Sequence, residues 1–431
     1  MLKKKKKKEV IETLSLDDNL SAEKKVEDKR SKRKKKKKVK IKKTALFVVL
    51  GISLVLLLLV GLYFIFFTKK EDKPKKIETV DPIPTKEKYK FSLAAVGDAL
   101  IHNGVYIDAN TYQMGSDGQY IYNFKPMLTD IKDVIKDFDL AFYNQETIIG
   151  GKAIGLSNYP CFNSPDEIGL DMIDAGFNLV NLTTNHTNDR GVGAMDYSAH
   201  FWKNQRQNGV YAVGSYVSEE DRLEPRYEEV NGIKYALLGY STVTNGLDTY
   251  LSDADSHYWV LYDPQKVKDD IERVRDKVDV IMVSMHWGIE YTHTPVQEER
   301  DIANYLASLG VNVVIGHHPH VIQPMEYIGD TLVIYSLGNF LSAQDGTMKR
   351  VGLMAAFDVE KEVDNGETKI SVTNARGDLL WTHYNYYQNF KVIPFSRLND
   401  SILWNYRAIY DDYKTIINPS GDPRIQTGFI N

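Results

Sequence analysis

The chain has 431 residues, 43% hydrophobic and 26% charged, an ordinary globular balance that excludes disorder along its whole length. The formal net charge of −4 hides an asymmetry: residues 1–43 carry 20 Lys and Arg against 7 Asp and Glu, and the remainder carries 34 against 51. Cys161 is the only cysteine, which excludes an intramolecular disulfide and a thiolate zinc cluster and argues against a lipoprotein anchor.

In chain order, the basic arm over 1–43 is followed by Ala45 to Phe67, 23 residues without a charge. At 1.5 Å per residue such a run spans a bilayer core of about 30 Å, so one transmembrane helix is expected over 44–67. Its length and bulky FIFF ending favour an uncleaved anchor over a signal peptide. The excess of Lys and Arg before the span predicts a single-pass cell-membrane protein, amino terminus cytoplasmic and carboxyl-terminal domain extracellular. The arm reads as a solvated topogenic tail, with membrane lipid as the contact its charge favours; nucleic acid is not expected as a partner. Residues 68–90, charged and Pro-bearing, read as an extended linker.

From Phe91 the pattern changes to short apolar runs alternating with amphipathic stretches, which predicts an α/β domain over 91–395. Candidate strands are Phe91–Val96, Leu140–Tyr143, Leu179–Leu182, Tyr235–Tyr240, Val278–Met285, Val311–Ile315 and Leu332–Ser336. One helix is expected from Ser164-Pro165 to a stop near Gly176, another over VQEERDIANYLASLG, ending near Gly310. Asn231-Gly232 between two apolar runs signals a hairpin. The tail over 396–431 is expected to hold one helix. Cys161 is expected to be buried and inert. Tyr384, Tyr386 and Tyr387 read as packing groups or a polymer-facing surface.

The chemistry sits just after the strands. Asp98 follows FSLAAVG, Asn144 and Glu146 follow LAFY, Asn185 and His186 follow LVNLTT, His286 and Glu290 follow VIMVSM, and His317, His318 and His320 follow VNVVIG. In open α/β sheets sites form at the carboxyl ends of strands, so these segments are expected to gather one cluster of carboxylate, amide and imidazole groups. Each motif alone has a bland explanation: Asp98 as a turn residue, Thr183–His186 as a plain loop, His286 as a packed histidine. Three imidazoles within His317–His320 seldom arise for packing alone. The donor set suits a divalent Zn, Mn or Fe better than a thiolate-loving metal.

The motifs GDALIH (97–102), NQE (144–146), AGFNLVNLTTNHTNDRG (175–191), SMHWGIEY (284–291), GHHPHVIQ (316–323) and YSLGNF (335–340) resemble the CapA family of poly-γ-glutamate capsule synthesis proteins in order and spacing, from about residue 91 to 345. The resemblance implies a four-layer α/β/β/α sandwich like that of calcineurin-type metallophosphoesterases. It implies metal ligands at Asp98, Glu146, Asn185, His286, His318 and His320, with His186 and Asp98 in the catalytic role and a divalent metal as cofactor. Where a usual metallophosphatase has a histidine two positions after the first aspartate, this chain has Leu100, with His102 as the nearest imidazole.

Two functions follow from that resemblance. One is a metal-dependent hydrolase or transferase of capsule or poly-γ-glutamate synthesis, acting on a phosphoester or on an amide of an anionic polymer. The other is a non-catalytic, polymer-binding subunit of a membrane complex for polymer synthesis or export.

Overall fold

The computed structural model describes residues 86–430, which fold as mixed α/β. In chain order the strands are β1 (Lys86–Leu100), β2 (Asn110–Met114), β3 (Tyr120–Tyr122), β4 (Leu140–Asn144), β5 (Leu179–Asn181), β6 (Tyr211–Val213), β7 (Glu228–Val230), β8 (Ile233–Ser241) and β9 (Val280–His286). After them come β10 (Val313–His317), β11 (Met325–Ile328), β12 (Thr331–Ile334), β13 (Asn339–Ser342), β14 (Val351–Asp364), β15 (Glu367–Asn385), β16 (Gln388–Pro394) and β17 (Ile425–Thr427). One sheet runs β16-β15-β14-β1-β4-β5-β6, with β13 beside β1 and β17 beside β15; a second runs β11-β12-β10-β9-β8-β7.

Strand periodicity explains how the sheets face each other. Phe91, Leu93 and Ala95 of β1 join Leu237, Met282, Ile315 and Ile334 of the second sheet in one buried cluster. The alternate residues Ala94 and Val96 point the other way, onto Met127, Leu128 and Ile131 of helix Lys125–Ile135 and Ile168 and Met172 of helix Asp166–Ala175. The second sheet repeats the scheme: Ile281, Val283 and Val314 turn outward onto Val267 and Ile271 of helix Pro264–Arg275 and onto Ile302 and Leu306 of helix Gln297–Ser308. Each such side chain removed from water contributes about 1.5–3 kcal/mol.

The Asn231-Gly232 hairpin joins β7 to β8, with both residues at positive φ (49° and 80°) as a two-residue turn requires. The helix beginning after Pro165 stops at Gly176 in the left-handed region. Near the carboxyl end, helix Tyr406–Ile417 buries Ile417 in the inter-sheet cluster, and β17 pairs in parallel with β15.

Several expectations need correcting. Among the described residues no helix is long and apolar enough to cross a membrane. The longest, Val192–Gln205, has 14 residues, about 21 Å of helix against a bilayer core of about 30 Å. The single-pass cell-membrane localisation is therefore not supported. The basic arm and the span over 44–67, with the lipid contact expected of them, lie outside the described residues. The linker expected over 68–90 ends early: Lys86–Lys90 already belong to β1, because their backbone pairs with Glu360–Asp364 of β14 and Lys90 forms an ion pair with Asp358 at 2.7 Å. Cys161 is exposed, not buried. The Tyr group divides: Tyr384 is buried and stacked on Phe390, whereas Tyr386 is almost fully exposed.

Candidate metal centre

Parallel pairing brings the strand ends abreast. Asp98 of β1 lies in register with Asn144 of β4, and Asn144 with Asn181 of β5. In the other sheet Ser241, His286 and His317 end β8, β9 and β10 side by side. The β1 end depends on a close approach: a Cβ on Gly97 would sit 1.8 Å from the Gly338 carbonyl oxygen, and that same oxygen accepts the Asp98 amide at 2.9 Å. The loop after β10 is strained, with His318 and His320 at φ of 103° and 59°, a conformation that costs about 1–3 kcal/mol per residue and persists only where its surroundings enforce it.

All six sequence-predicted ligands converge. Three overlapping groups each place one donor atom per residue within 4.8 Å of the others: Glu146, His286 and His318; Glu290, His318 and His320; and Asp98, Glu146 and His320. Asn185 joins through Oδ1, which lies 2.8 Å from His286 Nε2. Asp98 is fully engaged, Oδ1 accepting from Asn144 Nδ2 at 2.9 Å and Oδ2 facing His320 Nδ1 at 3.1 Å. Asn181 Nδ2 in turn donates to Asn144 Oδ1 at 2.8 Å.

Beneath His286 runs a chain of exchangeable protons. His286 Nδ1 lies 2.9 Å from His317 Nδ1, and His317 Nε2 lies 2.6 Å from Ser284 Oγ. If Nε2 of His286 is to offer a lone pair, Nδ1 must carry the proton and donate it to His317, whose Nε2–H then donates to the serine. In that tautomer His317 would be an orienting partner rather than a ligand, the kind of support given to metal-binding histidines.

The electrostatics favour a cation. Burial holds His286 well below the ordinary histidine value, brings His317 down to about 4 and, with the charge of His320 adding to it, His318 to about 3. These imidazoles are neutral at pH 7, and a neutral imidazole has a lone pair to give. Burial alone would raise Asp98, but the hydrogen bond and charge of His320 outweigh it and hold the carboxyl below its usual range. Glu146 is the opposite case: burial, then the charge of Asp98, pushes it well above the ordinary carboxylate value. Both Glu146 oxygens, and His318 Nδ1, are buried without a hydrogen-bond partner. Unpaired acceptors in a dry site are unfavourable, and a divalent ion is the group that would satisfy them. The residues present therefore fit a divalent metal.

His186 stands at the edge of this cluster. Its Nδ1 lies 2.8 Å from Asp189 Oδ2, which also accepts the Phe162 amide at 2.7 Å, and the Phe162 ring packs edge-on against the imidazole at 4.7 Å. Residues that sequence reasoning left out of the ligand set but the geometry includes are Glu290, through its place beside His318 and His320, and the supporting Asn144, Asn181, His317 and Asp189. Glu290, Asn144 and His317 carried the strand-end signal; Asn181, which ends β5, fell inside the expected strand Leu179–Leu182 and so did not. His102 is not a member: its Nδ1 binds the Leu100 carbonyl at 3.0 Å.

A mixed α/β protein with a buried carboxylate–imidazole–amide cluster at its strand ends is thus the class that fold and site define. The chain belongs to the bacterial capsule synthesis protein PGA_cap family, whose model matches residues 92–344. It is 27% identical over 334 residues to the PGA biosynthesis protein CapA of Bacillus subtilis (strain 168), covering 77% of this chain and 81% of that protein. It is 26% identical over 311 residues to the capsule biosynthesis protein CapA of Bacillus anthracis, covering 69% and 70%. Among solved structures, TT1561 of Thermus thermophilus aligns over 65% of this chain and 98% of that one at 9% identity, with a TM-score of 0.35, a likeness too loose to bear on function.

Proposed function

We propose that this protein is a metal-dependent hydrolase or transferase of capsule or poly-γ-glutamate synthesis, acting on an anionic polymer. The observation that carries the reading is Glu146: a buried carboxyl with neither oxygen partnered, facing the neutral imidazoles of His286 and His318. Asp98, Glu146, Asn185, His286, His318 and His320 are the residues that would hold the ion, in an α/β/β/α arrangement of the metallophosphatase kind. A divalent ion bound there supplies Lewis acidity and makes a coordinated water more acidic.

The chain's own groups do the rest. Asp189 fixes the His186 ring through Nδ1, which leaves Nε2 as the atom that holds or delivers a proton to a leaving group. The Asn144–Asn181 pair holds Asp98 in place. Phe162 excludes water from one side of His186.

The test is metal analysis of the purified protein and of His318→Ala, followed by assay on a phosphodiester and on γ-linked glutamate oligomers. Bound Mn, Fe or Zn with turnover supports the enzyme. Metal without turnover on any substrate supports a polymer-binding subunit instead. Absence of metal from both proteins overturns the reading.

A further inference from the structure

The centre is crowded with carboxylates. Asp98, Glu146 and Glu290 lie within its donor groups and Asp189 backs His186. A divalent ion offsets only part of that charge, so a polyanionic substrate would be repelled unless a cation stands at the rim.

One does. Lys349 lies beyond the residues matched by the family model, in the short helix Thr347–Arg350. Its Nζ stands 5.1 Å from the centroid of the Tyr291 ring, and that ring is 6.0 Å from the His320 imidazole. Among the described residues Lys349 has no carboxylate or hydrogen-bond partner for its ammonium group. The contrast with its neighbour is sharp. The Arg350 guanidinium is sandwiched between Trp381 and Tyr384 at 4.4 and 4.0 Å and donates to the carbonyls of Thr382 and Tyr384. Arg350 is consumed by packing; Lys349 is not.

The platform under Lys349 is built from the metal site outward. Tyr291 sits at a φ of 64° and its amide donates to the Pro319 carbonyl at 2.8 Å, which pins it to the loop bearing His318 and His320. Gln344 Nε2 donates to the Tyr291 hydroxyl at 3.2 Å. Buried Asn339, in register with Asp98 across β13 and β1, donates through Nδ2 both to Gln344 Oε1 at 3.1 Å and to the Lys349 carbonyl at 2.8 Å. One amide thus ties the backbone of Lys349, the Gln344 that holds its aromatic seat and the strand bearing Asp98 together. The Lys349 charge also reaches His102 and lowers its affinity for a proton, behind the larger effects of burial, His320 and His186.

We propose that Lys349 is the anion anchor of this site, taking a carboxylate of a γ-linked glutamate chain beside the bond presented to the candidate metal centre. The assignment rests on the polymer reading above. An ammonium over an aromatic face is a point charge that tolerates a moving chain, which suits a repeating polymer better than a bidentate arginine clamp.

The test is calorimetric binding of γ-linked pentaglutamate to the Mn-loaded full-length protein, to Lys349→Ala and to Lys349→Arg, with γ-linked pentaglutamine as the uncharged probe. Loss of a charge-assisted contact predicts about tenfold or greater weakening in Lys349→Ala and about threefold or less in Lys349→Arg. Mn content stays at the wild-type level in both, and the wild-type preference for the charged peptide collapses only in Lys349→Ala. Wild-type binding with an equal Lys349→Ala affinity sinks the anchor and leaves the polymer reading intact. Failure of Mn-loaded wild type to bind either peptide overturns the polymer reading and the anchor together.

Discussion

His320 Nε2 and Glu146 Oε1 face one another at 3.6 Å, beyond hydrogen-bond reach yet close to the spacing of two donors each about 2.1 Å from a shared ion. The pair predicts that Glu146→Gln and His320→Ala lose bound Mn. In wild type, Mn at 100 times its dissociation constant should stabilise the fold by about 2.7 kcal/mol; in Glu146→Gln that increment vanishes. Thermal melts with Mn and with chelator check this. An equal Mn-dependent rise in both proteins contradicts the assignment of Glu146.

The Ser284–His317–His286 chain makes a prediction away from the donors themselves. Removing an orienting partner of a metal-binding histidine lowers affinity roughly 10- to 100-fold. Ser284→Ala and His317→Phe are expected to weaken Mn binding by that amount in a competition titration. Unchanged affinity in both would mean that the relay is packing alone.

Asp189 should matter through His186. Asp189→Asn keeps the size but removes the charge that orients Nδ1, so turnover on γ-linked oligomers is expected to fall by roughly 10²- to 10⁴-fold, as loss of a general acid does. Metal content should not change. If Asp189→Asn turns over at the wild-type rate while His186→Ala does not, the pairing has no catalytic consequence.

Glu299 gives a pH dependence that does not involve the centre. Burial raises its carboxyl to about 7 from an ordinary value of 4.5, against the opposing hydrogen bond from the Val296 amide. A raised acid binds its proton more tightly when folded, so its contribution to stability is full below pH 4.5 and is lost as pH rises through about 7. Glu299→Gln should flatten that decline in melting temperature between pH 4.5 and 7. An identical slope in both proteins rules the residue out as its source.

The ligand cluster was legible because parallel strands put their carboxyl ends on one edge, so polar residues that each follow an apolar run must meet. What escaped has physical causes. Val351–Phe357 of β14 is buried on both faces and so lacks the alternation that marks a half-exposed strand. Its partner β15 turns from it at Asn365-Gly366, at φ of 51° and 88°, a hairpin signal as strong as Asn231-Gly232. Lys86–Lys90 looked like linker because it is charged and nearly free of large apolar side chains; it is held by the backbone ladder to β14, which leaves no mark in the sequence. Asn181 was overlooked because it lies within the expected strand Leu179–Leu182, and a lone amide there does not declare which side chain it will support.

The ladder between β1 and β14 extends from Lys86 opposite Asp364 to Ala95 opposite Ala355, just before Asp98. Side chains alternate along a strand, so sliding that ladder by one position would swing the aspartate to the far side of the sheet and offer Gly97 or Ala99 in its stead. The far end of that ladder, more than ten residues from Asp98, therefore helps fix which side of the sheet the aspartate occupies.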